Sequence, residues 1–347
     1  MAAFSYGITK ELGVVGALAE RPKSTSRPHD HRKRKSVPAS ARLQKEFYDP
    51  AIHAGVPRQG GGVKLHWPKT IDEAVDVLAS TEDALPLAGG ATLVAMMNAG
   101  LVEPGALVFL RKIDELKQIE TRPDGSVEIG AMTTHKTVAS FDGFREGQAV
   151  VALAARQIGH PPVRNMGTIG GSIAHADPAA DYPPALVAAD AAVEIIGKAG
   201  ARSVPVGEFF EDYHETALAE GEIVRAVTIP KAPPGSVAVY DKLARVDGDF
   251  ATASVALVLV MENGTCTHIR LVAGGVGPTP VRVAAAEERL IGTTLEESDV
   301  TEAAAMLVEE CDPVDDVRAS AHYRTVVLPR MILRALVTAQ GRLGGEQ

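Results

Sequence analysis

Two rhythms of apolar and polar positions run along the chain. In Thr70-Ile71-Asp72-Glu73 a hydroxyl stands three residues before a glutamate, and Ile71, Val75 and Leu78 then recur at helical spacing. The spacing predicts a helix closed by a capping box, with Thr70 capping and Glu73 reaching back. Ala84–Ala88 and Ala106–Leu110 are short apolar runs that predict strands, the first of them buried, and between them Thr92–Gly100 reads as a helix closed by its glycine. Further on, "LKQIE" and "SVEIGA" flank Pro123-Asp124-Gly125 as a hairpin, "AAVEII" and "ARSVPV" flank Gly197–Gly200 as another, and "EIVRAVTIP" adds a strand. The middle of the chain therefore reads as a mostly antiparallel sheet. From about Gly235 come three longer strands, "VAVYDKL", "ASVALVLVM" and "THIRLVAGG", followed by Ala- and Glu-rich helices from Val281 to Leu343. No fixed-period repeat is visible, which disfavours solenoids and propellers.

Composition narrows the class. With 347 residues, 46% of them hydrophobic, the chain can fill more than one core. Its longest apolar runs, such as Val255–Met261, fall far short of the roughly 20 residues a membrane helix requires, so a soluble protein with no membrane span is expected. Cys266 and Cys311 stand far apart without neighbouring thiols, which supports neither a disulfide framework nor an iron–sulfur site on this chain. Residues 1–45 hold ten Lys and Arg against three Asp and Glu, within a chain of net charge −9. The acidic remainder argues against nucleic acid as a partner. The basic head, Arg27–Lys35 above all, reads as a solvated, disordered extension, with an interaction arm or targeting signal as rivals. Glu11 and the short Leu12–Ala19 core make a poor secretory signal, and a cytoplasmic location is expected.

Two glycine pairs carry the candidate chemistry. Gly89 and Gly90 follow an apolar run in "LPLAGGATLVAMMNAG"; Gly170 and Gly171 recur in "NMGTIGGSIAHADPAADYPPA". A glycine loop after a strand brings N–H groups close to an anion because no Cβ intervenes. Two such loops with flanking hydroxyls suit one long ligand with a central diphosphate, whose hydroxyls would be met by Asp181 and Ser172. Neither motif contains a basic clamp, so backbone amides would do most of the neutralising. His175, in the small-residue run, could touch that ligand. Each residue also has a plainer reading: Gly170 and Gly171 as a tight turn, Asp181 as a helix or turn cap, His175 as a packed or solvent-facing histidine, Lys242 as a surface lysine facing the same way as Tyr240. No phosphate-binding G-x-x-x-x-G-K-[ST] is present, "GGVGPTP" lacks the third glycine of the dinucleotide fingerprint, and His135, His160 and His175 are not at metal-ligand spacing.

Four stretches in order, "AGGATL", "TIGGSIAHADPAAD", "FFEDYHETALAEGEIVRAVTIP" and "YDKLARVDGDFATASVAL", resemble the FAD-binding medium subunit of the molybdenum hydroxylases, the group of aerobic carbon monoxide dehydrogenase and xanthine dehydrogenase. The resemblance covers Phe47 to Leu343. It implies an α+β fold: a two-part FAD-binding domain of the PCMH type at 45–232, comprising a small α/β unit at 45–102 and a mostly antiparallel unit at 103–232. A C-terminal domain of antiparallel strands and helices at 236–343 follows, and residues 1–44 lie outside. By the same resemblance Ala88, Gly89, Gly90, Ala91, Thr92 and Leu93, with Thr168, Ile169, Gly170, Gly171 and Ser172, hold the pyrophosphate of noncovalent FAD. Asp181 accepts a hydrogen bond from a cofactor hydroxyl, Ile158 and Val224 lie near the flavin or its chain, and Lys242 approaches the flavin ring. Ser172 stands where many relatives carry Asn, and the spacing around Lys242 is shifted by one residue. The implied partners are a small subunit with [2Fe–2S] clusters and a large molybdopterin-binding subunit, in a dimer of heterotrimers. No catalytic base or metal ligand is expected on this chain. Two rival readings stay open: a stand-alone FAD oxidase of a small alcohol, and a scaffold that has lost flavin.

Overall fold

The computed structural model describes residues 63–344, all within one compact unit; the basic head lies outside the described residues. The first helix, α1 (Ile71–Ser80), begins as its spacing predicts: the Thr70 hydroxyl accepts the Glu73 N–H at 3.2 Å, and Glu73 reaches back to the Lys69 N–H at 2.7 Å, one residue beyond the cap. Its buried face of Ile71, Ala74, Val75 and Leu78 covers a three-stranded parallel sheet in the order β1 (Lys64–His66), β3 (Ala106–Phe109), β2 (Ala84–Leu87). β2 is an edge strand, not the buried strand its apolar run predicts, and Pro86 is exposed on it. Proline has no N–H to give a second neighbour, so the edge is where this sequence fits. After β2 the chain turns through Gly90, at φ +77°, into α2 (Leu93–Asn98), which ends at Gly100.

The middle sheet is antiparallel throughout, in the order β4 (Ile119–Thr121), β5 (Val127–Gly130), β10 (Ile223–Ile229), β6 (Ala192–Gly197), β7 (Gly200–Pro205). Between β5 and β6 the sequence marks no helix beyond the cap reading at Asp181; five are present. They are α3 (His135–Ser140), α4 (Ala149–Gln157), α5 (Pro161–Met166), α6 (Ile169–His175) and α7 (Tyr182–Ala188). None exceeds nine residues, and their inward positions are largely alanine, glycine and valine, so no large-residue periodicity develops. A short helix, α8 (Val206–Phe209), and the small hairpin of β8 (Phe210–Asp212) and β9 (Glu215–Thr216) precede β10.

The third sheet, in the order β11 (Val237–Leu243), β12 (Ala253–Glu262), β13 (Thr265–Gly274), β14 (Val281–Arg282), is likewise antiparallel. Val281 opens as the edge strand β14 rather than as helix; the helices are α9 (Ala284–Leu290), α10 (Glu297–Glu309) and α11 (Ala321–Gly344). Alternation along β12 sends Ala256 and Val258 into the core shared with α4, α6 and α7, while Val255, Leu257 and Leu259 enter a second core under α10 and α11. Burial on both faces is why this strand reads as an unbroken apolar run. Among the described residues no helix is long and apolar enough to cross a membrane, and no cluster of His, Cys, Asp and Glu is arranged to hold a metal.

Candidate functional site

A cavity of about 610 Å³ opens where the small parallel sheet, α6 and β10 meet, and both glycine pairs line it. That volume is in the range of small-molecule sites. The two pairs reach the cavity by different means. Gly90 has a left-handed backbone that favours glycine, and among the described residues the N–H groups from Gly89 to Leu93 donate to no protein acceptor. Five successive unengaged amides around such a turn form an anion-binding concavity. Gly89 is required by packing as well, because a Cβ there would fall 1.9 Å from the Met166 carbonyl oxygen.

The second pair is not a loop after a strand. Gly170 and Gly171 lie in the first turn of α6, capped by the Thr168 hydroxyl, which accepts the Gly171 N–H at 3.1 Å. Gly170 donates to the Ala131 carbonyl at 2.9 Å, Ile169 to that of Thr133 at 3.0 Å, and Ser172 to that of Thr168 at 3.0 Å, so the amides that the sequence offers to phosphate are engaged within the protein. Gly170 is glycine because α6 crosses the end of β5 too closely for a side chain: a Cβ would sit 2.5 Å from that of Ala131. What α6 offers the cavity is a wall without side chains at Gly170 and Gly171, and the Ser172 hydroxyl. Neither that hydroxyl nor Thr92's makes a hydrogen bond among the described residues.

Ala88, Ala91, Leu93, Ile158, Thr168, Asp181 and Val224 also line the cavity; Ile169 and Lys242 do not. Ile169 is fully buried in the core beneath α6. Asp181 occupies the cap position of α7 without capping it. Its Oδ1 accepts the Tyr240 hydroxyl at 2.7 Å, and its Oδ2 accepts Lys242 Nζ at 3.0 Å. Lys242 donates also to the Gln157 carbonyl at 2.9 Å and is buried rather than a surface lysine. Burial raises the Asp181 carboxyl above its ordinary value despite the Lys242 charge and the Tyr240 bond. The Tyr240 hydroxyl, pushed well above its ordinary range by burial and then by Asp181, stays protonated and remains the donor.

A family model described as the FAD binding domain in molybdopterin dehydrogenase matches residues 61–232, and one described as the CO dehydrogenase flavoprotein C-terminal domain matches 238–339. The carbon monoxide dehydrogenase medium chain of Hydrogenophaga pseudoflava is 37% identical over 80% of this chain and 97% of its own length. The chain belongs to the FAD-binding medium subunits of the molybdenum hydroxylases. Subunit alpha of the 6-hydroxypseudooxynicotine dehydrogenase complex of Paenarthrobacter nicotinovorans is 35% identical over 79% of this chain and 93% of its own. A solved structure of carbon monoxide dehydrogenase from Hydrogenophaga pseudoflava superposes with a TM-score of 0.78 at 37% identity, covering 83% of this chain and 99% of that one.

This medium subunit is thus an oxidoreductase component with a FAD-binding domain, and its cavity suits a dinucleotide on structural grounds: open amides, two free hydroxyls and a Cβ-free wall. The wall holds one histidine that the sequence did not place there and one member of a histidine pair that it did not connect. His135, weighed only as a metal ligand, is on the cavity wall. His175, also on the wall, packs its ring against His214 at 4.8 Å, and His214 Nδ1 donates to the His175 carbonyl at 3.0 Å. Burial, then the neighbouring His214, lowers the His175 imidazole below its ordinary value against an opposing pull from Asp177. His214 comes from the β8–β9 turn, so local spacing carried no signal for the pair.

Proposed function

We propose that this subunit carries noncovalently bound FAD in a heterotrimeric molybdenum hydroxylase, accepting electrons from a small [2Fe–2S] subunit and delivering them to an external acceptor. A large molybdopterin-binding subunit would hold the substrate, and the assembly would be a dimer of heterotrimers. The observation that carries this reading is the convergence of unengaged amides at Gly89–Leu93, the Thr92 and Ser172 hydroxyls and Asp181 on one cavity. The amides would bind the phosphate oxygens, and the two hydroxyls with the remaining lone pairs of Asp181 would orient the sugar and ribityl groups. Tyr240 and Lys242 would hold Asp181 in place from behind. Ile158, Val224, Met96 and Leu218 supply an apolar stretch of wall against which the flavin or its chain would pack. Bound FAD supplies a carrier that exchanges electrons one or two at a time, and the protein contributes position and electrostatics. The relatives' names support a multisubunit setting, since they are called medium chain and complex subunit. Their different substrates fit a chain that does not itself choose the substrate.

The test uses the full-length chain. It should purify yellow, release its flavin on denaturation, and bleach with dithionite. In stopped flow it should remain oxidised with carbon monoxide, purines and small alcohols until both partner subunits are added. Rapid bleaching of the isolated chain by any of these would establish a stand-alone oxidase, and failure to bind FAD would leave a scaffold.

A further inference from the structure

One buried side chain on the cavity wall takes no part in the cradle described so far. His135 opens α3, and its backbone N–H donates to the Gly167 carbonyl at 3.0 Å, tying α3 to the segment that enters α6. The residue is 5% exposed. Its Nδ1 lies 3.2 Å from the hydroxyl of Tyr182, which is fully buried and off the cavity wall, so the opposite edge of the ring, bearing Nε2, is the one left to face the cavity. Nε2 makes no hydrogen bond among the described residues. It packs beside Gly167, where a Cβ would fall 2.5 Å away, and Gly167 in turn abuts Gly89, whose Cβ would lie 2.9 Å from the Gly167 Cα. The ring edge and the open amides of the first glycine loop are therefore separated by one glycine.

Burial, and then the Asp181 charge, hold the Tyr182 phenol well above the ordinary range, so it keeps its hydrogen. Nδ1 is the one partner of that fully buried hydroxyl among the described residues, and donating to it satisfies the O–H. With the phenol as donor, the ring hydrogen sits on Nε2. Burial, with the Arg164 charge adding to it, lowers the imidazole to about 4, and the ring is neutral near pH 7.

The geometry points to His135 Nε2–H as a hydrogen-bond donor to the diphosphate of the bound dinucleotide, with Tyr182 as the positioning residue that fixes its tautomer. This rests on the cavity being the FAD site. A neutral donor complements the amides at Gly89–Leu93 and needs no counter-charge when the cavity empties.

The full-length chain, stripped of flavin, is titrated with FAD, ADP and riboflavin. His135→Phe keeps a ring of similar size and removes the donor; FAD and ADP should then bind about tenfold more weakly, the loss of roughly one hydrogen bond, with riboflavin unchanged. His135→Gln, which returns an N–H near the same place, should recover most of the affinity, and Tyr182→Phe should give a smaller loss of the same selectivity. Unchanged FAD and ADP binding in His135→Phe, or equal losses for riboflavin, would overturn the assignment. Should His135→Phe fail to fold, the Tyr182→Phe titration decides alone by the same selectivity. If the wild-type chain binds neither FAD nor ADP, the FAD reading falls first and this inference with it.

Discussion

A side chain on Gly170 would meet Ala131, with its Cβ 2.5 Å from that of Ala131 and 2.8 Å from the carbonyl oxygen, whereas one on Gly171 would meet the Thr168 hydroxyl at 3.0 Å and the Ala88 Cβ at 3.3 Å beside the cavity. The two adjacent glycines should therefore fail differently. Gly170→Ala should destabilise the fold by about 1–3 kcal/mol through overpacking, read as a lower Tm without cofactor. Gly171→Ala should leave that Tm nearly unchanged and raise the Kd for FAD. The glycine pairs were visible in the sequence, but their separate reasons were not, because Ala131 approaches Gly170 from a different element. His135 gives a second residue-scale expectation. Its pKa is about 4 in the folded chain against 6.5 for an ordinary histidine. Between those values the unfolded chain binds the additional proton, so stability falls as pH drops from 6.5 to 4, by roughly 3 kcal/mol in all. Urea midpoints measured across that window should decline more shallowly in His135→Gln than in the wild type.

Among the elements, the longer strands were readable because large apolar residues mark them: β12 shows its burial on both faces, and the hairpin turns carry their own glycine and proline signals. By contrast β1, β8, β9 and β14, of two or three residues each, are too short to show an alternation. The five short helices were not, since helices of six to nine residues give too few turns for a stripe to emerge. Long-range polar ties were equally hidden. Asp181 at the start of α7 meets Tyr240 and Lys242 on β11, some sixty positions along the chain, and nothing local announces the pairing. The ion pair is almost wholly buried, with side chains 3% and 5% exposed. Lys242→Met should cost about 3–5 kcal/mol because it leaves a buried carboxylate unpaired, and adding Asp181→Asn should recover most of that. Chemical denaturation of the two variants checks both signs.

At the scale of the whole molecule, β12 serves two cores at once, so the stretch matched by the FAD-binding family model and the stretch matched by the flavoprotein C-terminal model share a packed strand. Asp181, on the cavity wall, is fastened to that same C-terminal sheet. One property of the cavity sets how it must respond to its medium. Its charged lining consists of Asp177, Asp181, Glu220 and Glu222, with no lysine or arginine on the wall among the described residues, in a chain of net charge −9. Lys242 and Arg202 pair with Asp181 and Glu222 from behind it, which leaves Asp177 and Glu220 without an ion-pair partner among the described residues. A dianionic diphosphate therefore approaches against the long-range field and is retained by short-range dipoles. Added salt screens the first and barely touches the second. Raising ionic strength from about 10 mM to 0.2 M should accelerate FAD association and leave its dissociation rate nearly constant, the reverse of a site built on basic clamps. Stopped-flow flavin fluorescence at several salt concentrations would show it, and a cofactor that binds more slowly as salt rises would mean that cations outside this wall guide it in.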